Sequence, residues 1–192
     1  MPLFRAPQDA ISNSLEVSFV ERAIRRDREA FAALHDCHLD RIYSYISFSL
    51  KNAPEAEDLT QEVFIRAWKN IHKYRITGAP FITWLIAIAR NMVADHFRAR
   101  KKVNTVPLED EQFSGAAEAD PQNLTELRFE QQHLREVIGK LKGEKQQVII
   151  MRFIVGMEYR EIAQLLKKRE GAVRVIQFRA LKELRALLED EA

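Results

Sequence analysis

Apolar residues recur at three- and four-residue spacing over two long stretches of this chain, from about Leu15 to Lys102 and from about Asn123 to Leu188. That period lines up one face of successive helices rather than alternate faces of strands. Six glycines and six prolines among 192 residues interrupt little, and the runs are rich in Ala, Leu, Glu, Lys, Arg and Gln, which cost a helix least. The expected fold class is all-α. Between the stretches, Val103 to Gln122 (VNTVPLEDEQFSGAAEADPQ) is acidic, holds two prolines and shows no stripe. It reads as a flexible tether. The expected organisation is a helical domain over 1–102, an acidic linker over 103–122 and a second helical domain over 123–192.

Finer breaks follow from local chemistry. Pro54 suits the first turn of a helix, where its missing N–H costs nothing. His72 to Pro80 (HKYRITGAP) reads as a loop between two helices. In the second half the period breaks at Gly143, at Gly156 and around Lys167 to Gly171. The net charge of +2 says little, since acidic residues cluster away from two basic stretches. Cys37 is the only cysteine, which excludes an internal disulfide and suits a reducing compartment. No stretch approaches the roughly 20 apolar residues that span a bilayer, and MPLFRAPQDAISNSLE lacks the apolar core of a secretory signal. A cytoplasmic protein without membrane insertion is expected.

The segment GMEYREIAQLLKKREGAVRVIQFRALKELRALL carries the sharpest local pattern. A short helix, about Tyr159 to Leu166, turns Ile162, Ala163 and Leu166 inward. After a break, a second helix from near Gly171 turns Val173, Ile176, Ala180 and Leu184 inward. Two helices crossing at a tight turn beside a small Ala163 make a helix-turn-helix. Off the inner face lie Arg174, Val175, Gln177, Phe178, Arg179 and Lys182. Arginine forks onto guanine or phosphate, glutamine pairs with adenine, and apolar side chains touch thymine methyls. An ordinary helical hairpin with a solvated charged face has the same pattern.

In the first half, PEAEDLTQEVFIRAWKNI reads as one helix with Leu59, Val63, Phe64, Ala67 and Ile71 as its core face. Roughly opposite stand Asp58, Gln61, Glu62, Ile65 and Trp68. Solvation explains the carboxylates but not the two apolar residues among them, which suggests a protein-binding surface with Trp68 as anchor. The other reading is that Trp68 folds back onto a neighbouring helix. The next helix, FITWLIAIARNMVADHFRARKK, places Phe81, Leu85, Ile88, Met92 and Phe97 inward. Thr83, Ala87, Arg90, Asn91, Ala94, Arg98 and Lys101 fall on the other side, where two alanines leave room for a nucleic-acid strand. The loop before it offers Tyr74, Arg75 and Thr77. Phe81 and Trp84 provide aromatic surface for unpaired bases, or simply belong to the core.

These segments resemble the sigma-70 family, and within it the small extracytoplasmic-function (ECF) sigma factors, group IV. Gly156, Tyr159, Glu161, Ile162, Ala163, Leu166, Gly171, Val173 and Arg174 match the region-four motif. Ala56 to Trp68 is similar to A-E-D-L-x-Q-[ED]-[VT]-F-[IL]-[RK]-[AV]-W of region two. From Lys73 to Asp95 the chain is similar to K-Y-x(6)-F-x-T-W-L-x-x-I-A-R-N-x-x-x-D of the promoter-melting region. The resemblance covers most of residues 25 to 101 and 123 to 188, with no further domain between them, as in the ECF group. It implies a sigma region 2 bundle and a sigma region 4 helix-turn-helix, with core RNA polymerase and promoter DNA as partners.

Several roles follow from the resemblance alone. Asp58, Gln61, Glu62, Ile65 and Trp68 would grip the coiled coil of the polymerase's largest subunit, and the second domain would meet the flap of the second subunit. Tyr74, Arg75 and Thr77 would capture a flipped base of the minus-ten element, and Arg90, Asn91, Arg98 and Lys101 would hold the opened strand, without ATP. Arg174, Val175, Phe178 and Arg179 would read the minus-thirty-five element. The linker, with Glu109, Asp110, Glu111, Glu118 and Asp120, would lie in the RNA exit path, although a solvated tether has the same composition. Family members are commonly held inactive by an anti-sigma factor, which joins the expected partners. Lys167 departs from the family, where glycine often follows the first helix, and so strain is expected in that turn.

Other chemistries find no support. His35 and His38 in LHDCHLD are three apart and share a face, but zinc wants three or four ligands. No phosphate-cradling glycine loop or nucleophile elbow is present. No cofactor, no metal and no enzymatic activity are expected. Two other functions remain in view: a stand-alone helix-turn-helix regulator that binds duplex DNA as a dimer, and a metal-dependent nuclease, for which no ligand set exists. The order of the two motifs around an acidic linker favours the sigma factor.

Overall fold

The computed structural model describes residues 13–50, 52–103 and 124–189, and every regular element among them is helical. Helices α1 (Asn13–Ile24) and α2 (Arg28–Ser49) meet at a tight reversal. Asp27 caps α2 by accepting the Ala30 N–H at 3.1 Å, and it pairs with Arg22 at 2.7 Å. Arg26, just before it, is left-handed at φ 69°, a conformation that non-glycine residues keep only when their surroundings hold them there. That conformation closes α1, with the Arg26 and Asp27 N–H groups donating to the Ala23 and Arg22 carbonyls at 2.9 and 3.2 Å. The Arg26 side chain reaches the end of the helix over 53–70, where it donates to the carbonyls of Trp68 and Lys69 at 2.6 and 3.3 Å. Those carbonyls have no partner within their own helix, so the guanidinium caps it.

Helix α3 (Ala53–Asn70) starts at Asn52, whose side chain accepts the Glu55 N–H at 3.2 Å, with Pro54 in the first turn as expected. Ala56, Thr60, Val63, Phe64 and Ala67 form its buried row. A 3-10 turn (Ile71–Lys73) leads to the loop 74–80 and then to α4 (Phe81–Val103). On α4 the buried face is Phe81, Ile82, Leu85, Ile86, Ala89, Met92 and Val93. This face is wider than one stripe because α2 and α3 both pack on it. Thr83, expected outward, is therefore buried, whereas Phe97, expected inward, is 49% exposed, so burial on α4 ends near Val93.

The second half holds α5 (Leu124–Lys140), α6 (Glu144–Ile149), a π-helical turn (Ile150–Ile154), α7 (Tyr159–Leu166) and α8 (Glu170–Glu189). Its breaks fall where the sequence places them. Gly143 and Gly156 sit at φ 60° and 77°, and Lys167 ends α7 in the left-handed region at φ 54°. The strain expected at Lys167 is thus real, because a Cβ is held where glycine is at ease.

Buried side chains form one continuous cluster that crosses both halves, with Leu34, Ile42, Leu85, Val148, Met151 and Val173 all inaccessible to solvent. Each fully buried Leu, Ile or Val stabilises the fold by about 1.5–3 kcal/mol. Helix α2 packs on the π-helical turn and α5, and α4 touches α7. At this seam Arg41 donates to the Val155 carbonyl at 3.0 Å. Apart from Val103, the last residue of α4, the linker expected over 103–122 lies outside the described residues, and so do Glu109, Asp110, Glu111, Glu118 and Asp120.

Candidate nucleic-acid interface

The outer side of α3 carries the five residues expected to bind protein. Asp58 and Gln61 are exposed, Ile65 is 46% exposed, and Glu62 is half-buried in a 2.9 Å pair with Arg66. Trp68 partly folds back. It is half-buried, with its ring 5.0 Å from Phe31 of α2 and 5.3 Å from the Arg26 guanidinium. The reading in which Trp68 folds back onto a neighbouring helix thus describes its packing on Phe31.

The loop and α4 make a second surface. Tyr74, Phe81 and Trp84 form an aromatic cluster with ring separations of 5.4 Å (Tyr74–Phe81), 5.0 Å (Tyr74–Trp84) and 5.4 Å (Phe81–Trp84). Phe81 is a core residue at 2% exposure, while Tyr74 and Trp84 are half-buried. Burial raises the Tyr74 phenol above its ordinary range, so it stays a neutral donor. Arg75, Ile76 and Thr77 are exposed. A cavity of about 90 Å³ beside this loop is lined among others by Glu16, Val17, Tyr74, Ile76, Gly78 and Phe81. Glu16 Oε1 is 2.9 Å from His38 Nε2, and hydrogen bonding by that imidazole holds the carboxyl below the ordinary glutamate range.

The α4 residues expected on a strand divide. Asn91 is exposed, and exposed Arg98 pairs with Asp95 at 2.7 Å. Arg90 is half-buried and faces the second half, with its Nε 3.3 Å from Gln147 Oε1 and its Nη1 3.4 Å from the Leu165 carbonyl. For Lys101 only the helical backbone is described. His35 contacts Asp36 and His38 contacts Glu16, and among the described residues no three metal-ligating side chains come together.

In the helix-turn-helix, Val173 and Ala180 are fully buried and Ile176 and Leu184 partly so, as their spacing requires. Arg174, Val175, Phe178, Arg179 and Lys182 are exposed, Phe178 to 71%. Gln177 is half-buried, and its carbonyl oxygen accepts the Tyr159 hydroxyl at 2.5 Å. The adenine pairing expected of Gln177 needs that same oxygen. The Arg174 guanidinium lies 4.0 Å from the Tyr159 ring and that of Arg152 lies 4.7 Å from it. Sequence reasoning matched Tyr159 to a motif without giving it a task, and it missed Arg26, Arg41 and Arg152. Nothing in the pattern signals these arginines, because each reaches a backbone carbonyl that the sequence does not distinguish from any other.

The described residues thus form a bundle with an exposed apolar–acidic helix face, followed by a helix-turn-helix with a basic outer face. Residues 34–103 match sigma-70 region 2, and residues 137–186 match sigma-70 region 4. The chain is 33% identical over 191 residues to the ECF RNA polymerase sigma factor BldN of Streptomyces coelicolor, covering 98% of this chain and 71% of that one. It is 32% identical over 165 residues to the ECF RNA polymerase sigma factor SigX of Bacillus subtilis, covering 84% of each. In fold it is similar to CnrH, solved in complex with the cytosolic domain of CnrY, with a TM-score of 0.71 and 24% identity over 93% of this chain and 99% of that one. The chain belongs to the ECF RNA polymerase sigma factors of the sigma-70 family.

Proposed function

We propose that this sigma factor divides its work among three surfaces. The α3 face with Asp58, Gln61, Glu62, Ile65 and Trp68 grips the coiled coil of the largest polymerase subunit. The loop residues Tyr74, Arg75 and Thr77 capture a base of the minus-ten element, while Arg90, Asn91, Arg98 and Lys101 hold the opened strand. Base extraction costs a few kcal/mol, which strand contacts and polymerase binding together offset without ATP. The outer face of α8 reads the minus-thirty-five duplex through Arg174, Val175, Phe178, Arg179 and Lys182, with Gln177 at its edge. The second domain meets the polymerase flap, and an anti-sigma factor is the expected inhibitor.

The observation that carries this reading is the division of α8. Val173 and Ala180 are sealed in the core, while Arg174, Val175, Phe178 and Arg179 stand outward together. Such a helix presents forked donors and apolar groups in the way that major-groove recognition uses them. The protein then binds and positions and performs no catalysis of its own, and its place is the cytoplasm with the polymerase. No helix among the described residues is long and apolar enough to cross a membrane.

Run-off transcription with purified core polymerase on genomic fragments tests the proposal. Initiation at defined start sites, dependent on the chain, is the expected result. Tight operator binding without polymerase, or initiation nowhere, would instead favour a stand-alone regulator.

A further inference from the structure

The upstream reading head contains an aromatic side chain that sits behind the reading face and holds two of its residues. Tyr159 opens α7, packs partly buried against the core, and lies against the Arg174 guanidinium at 4.0 Å. Its hydroxyl donates to Gln177 Oε1 at 2.5 Å, one turn further along α8. The ring is itself fixed from behind. Arg152 lies 4.7 Å from it and donates to the Met157 carbonyl at 2.7 Å, while the Glu161 side chain accepts the Glu158 N–H at 2.8 Å and closes the start of α7.

Stacking restrains an arginine in a particular way. It uses the flat face of the guanidinium and leaves the in-plane N–H donors free. An ion pair consumes those donors, as Asp95 consumes those of Arg98 at 2.7 Å. Among the described residues no carboxylate pairs with Arg174, and its guanidinium carbon lies over the Tyr159 ring at 4.0 Å. A long side chain ordered before binding loses less rotamer freedom on contact with a base.

We propose that Tyr159 is the positioning residue of the upstream-element reader: its ring, clamped through Gln177 and Arg152, presents the Arg174 fork in a preset orientation. Selectivity at the base pair that Arg174 contacts then depends on a side chain that touches no DNA. The inference rests on the proposed role of α8.

The test compares Tyr159→Leu, Tyr159→Phe, Arg174→Ala and the combined Tyr159→Leu/Arg174→Ala in run-off transcription with core polymerase. The templates carry each base pair of the upstream element substituted in turn. Arg174→Ala should abolish discrimination at one base pair. Tyr159→Leu should reduce discrimination at that same pair by about 3- to 10-fold, a range usual for coupled neighbours. The combined variant should be no worse there than Arg174→Ala, because the ring acts only through the guanidinium. Tyr159→Phe, which keeps the ring and its Arg152 contact but loses the bond to Gln177, should retain more of the Arg174-dependent discrimination than Tyr159→Leu and less than wild type. Uniform loss across all templates in Tyr159→Leu, or effects that simply add, would overturn the proposal.

A second measurement needs no variant to fold well. In the free wild-type chain, the Arg174 side-chain N–H signal should be ordered and displaced by the ring current. A mobile signal at its unstructured position overturns the positioning role. If wild-type protein initiates nowhere, the sigma-factor reading of α8 has failed. If it initiates normally and Tyr159→Leu keeps the wild-type base profile, only the role of Tyr159 has failed.

Discussion

Arg26 donates to the carbonyl of Trp68 at 2.6 Å while its guanidinium lies 5.3 Å from the same residue's indole ring. One side chain thus caps α3 and braces the residue expected to anchor polymerase. The two roles of Trp68 can be separated by comparison with its neighbour Ile65, which is 46% exposed. Trp68→Ala should lower both core-polymerase affinity and folding stability, the latter by about 1–3 kcal/mol through lost packing on Phe31 and Arg26. Ile65→Ala should lower affinity and leave the urea midpoint within about 0.5 kcal/mol of wild type. Normal polymerase binding by both variants would remove this face from the interface.

Arg41 crosses the seam between the halves, reaching from α2 to the Val155 carbonyl at 3.0 Å. Arg41→Ala leaves that carbonyl without its charged donor and should cost about 2 kcal/mol in urea unfolding. Small-angle scattering should also report a larger radius for the free chain as the halves part. Because Arg90 contacts Gln147 and the Leu165 carbonyl across the same seam, it must leave them before it can hold a DNA strand. Unchanged radius and stability would show that Arg41 does not hold the halves together.

Lys167 ends α7 at φ 54° and ψ 45°. Lys167→Gly relieves a left-handed conformation that disfavours any Cβ and should raise stability by about 0.5–1 kcal/mol, net of the extra freedom glycine has when unfolded. Thermal denaturation should show a gain of a few degrees. Lys167→Ala, which keeps the Cβ, should show none, and equal gains from both would assign the effect to the lost charge.

Glu16 makes stability depend on acidity. Hydrogen bonding from His38 holds its carboxyl below the ordinary glutamate range. The folded chain therefore takes up this proton less readily than the unfolded chain. The stabilisation is complete above about pH 4.3 and is lost as pH falls through the folded value. In Glu16→Gln, the decline in urea midpoint below about pH 5 should be shallower than in wild type. Parallel acid limbs would mean that other carboxylates carry the whole effect.

The helical class, the breaks and most of the core faces were legible because period and propensity are local. Val63, Phe64 and Ala67 had to share one side of α3, and Val173 and Ala180 one side of α8. The outer faces followed by subtraction, which brings Asp58, Gln61 and Ile65 out together and does the same for Arg174, Val175 and Phe178. Failures arose where a helix has more than one neighbour or outruns them. Thr83 is buried because α4 is packed on two sides, and Phe97 continues the Val93 row but remains exposed.

By itself, the sequence determined that this chain forms helices, where they end, which residues can face water, and which family it joins. Those properties depend on residues a few positions apart. The tertiary structure alone decided which polar side chains are already engaged: Arg26 with the end of α3, Arg41 with Val155, Arg90 with Leu165, and Tyr159 with Arg174 and Gln177. Partners such as Arg41 and Val155 are 114 residues apart, and most of these acceptors are backbone carbonyls. Every residue carries such a carbonyl, so no sequence pattern distinguishes the one that a fold brings within reach.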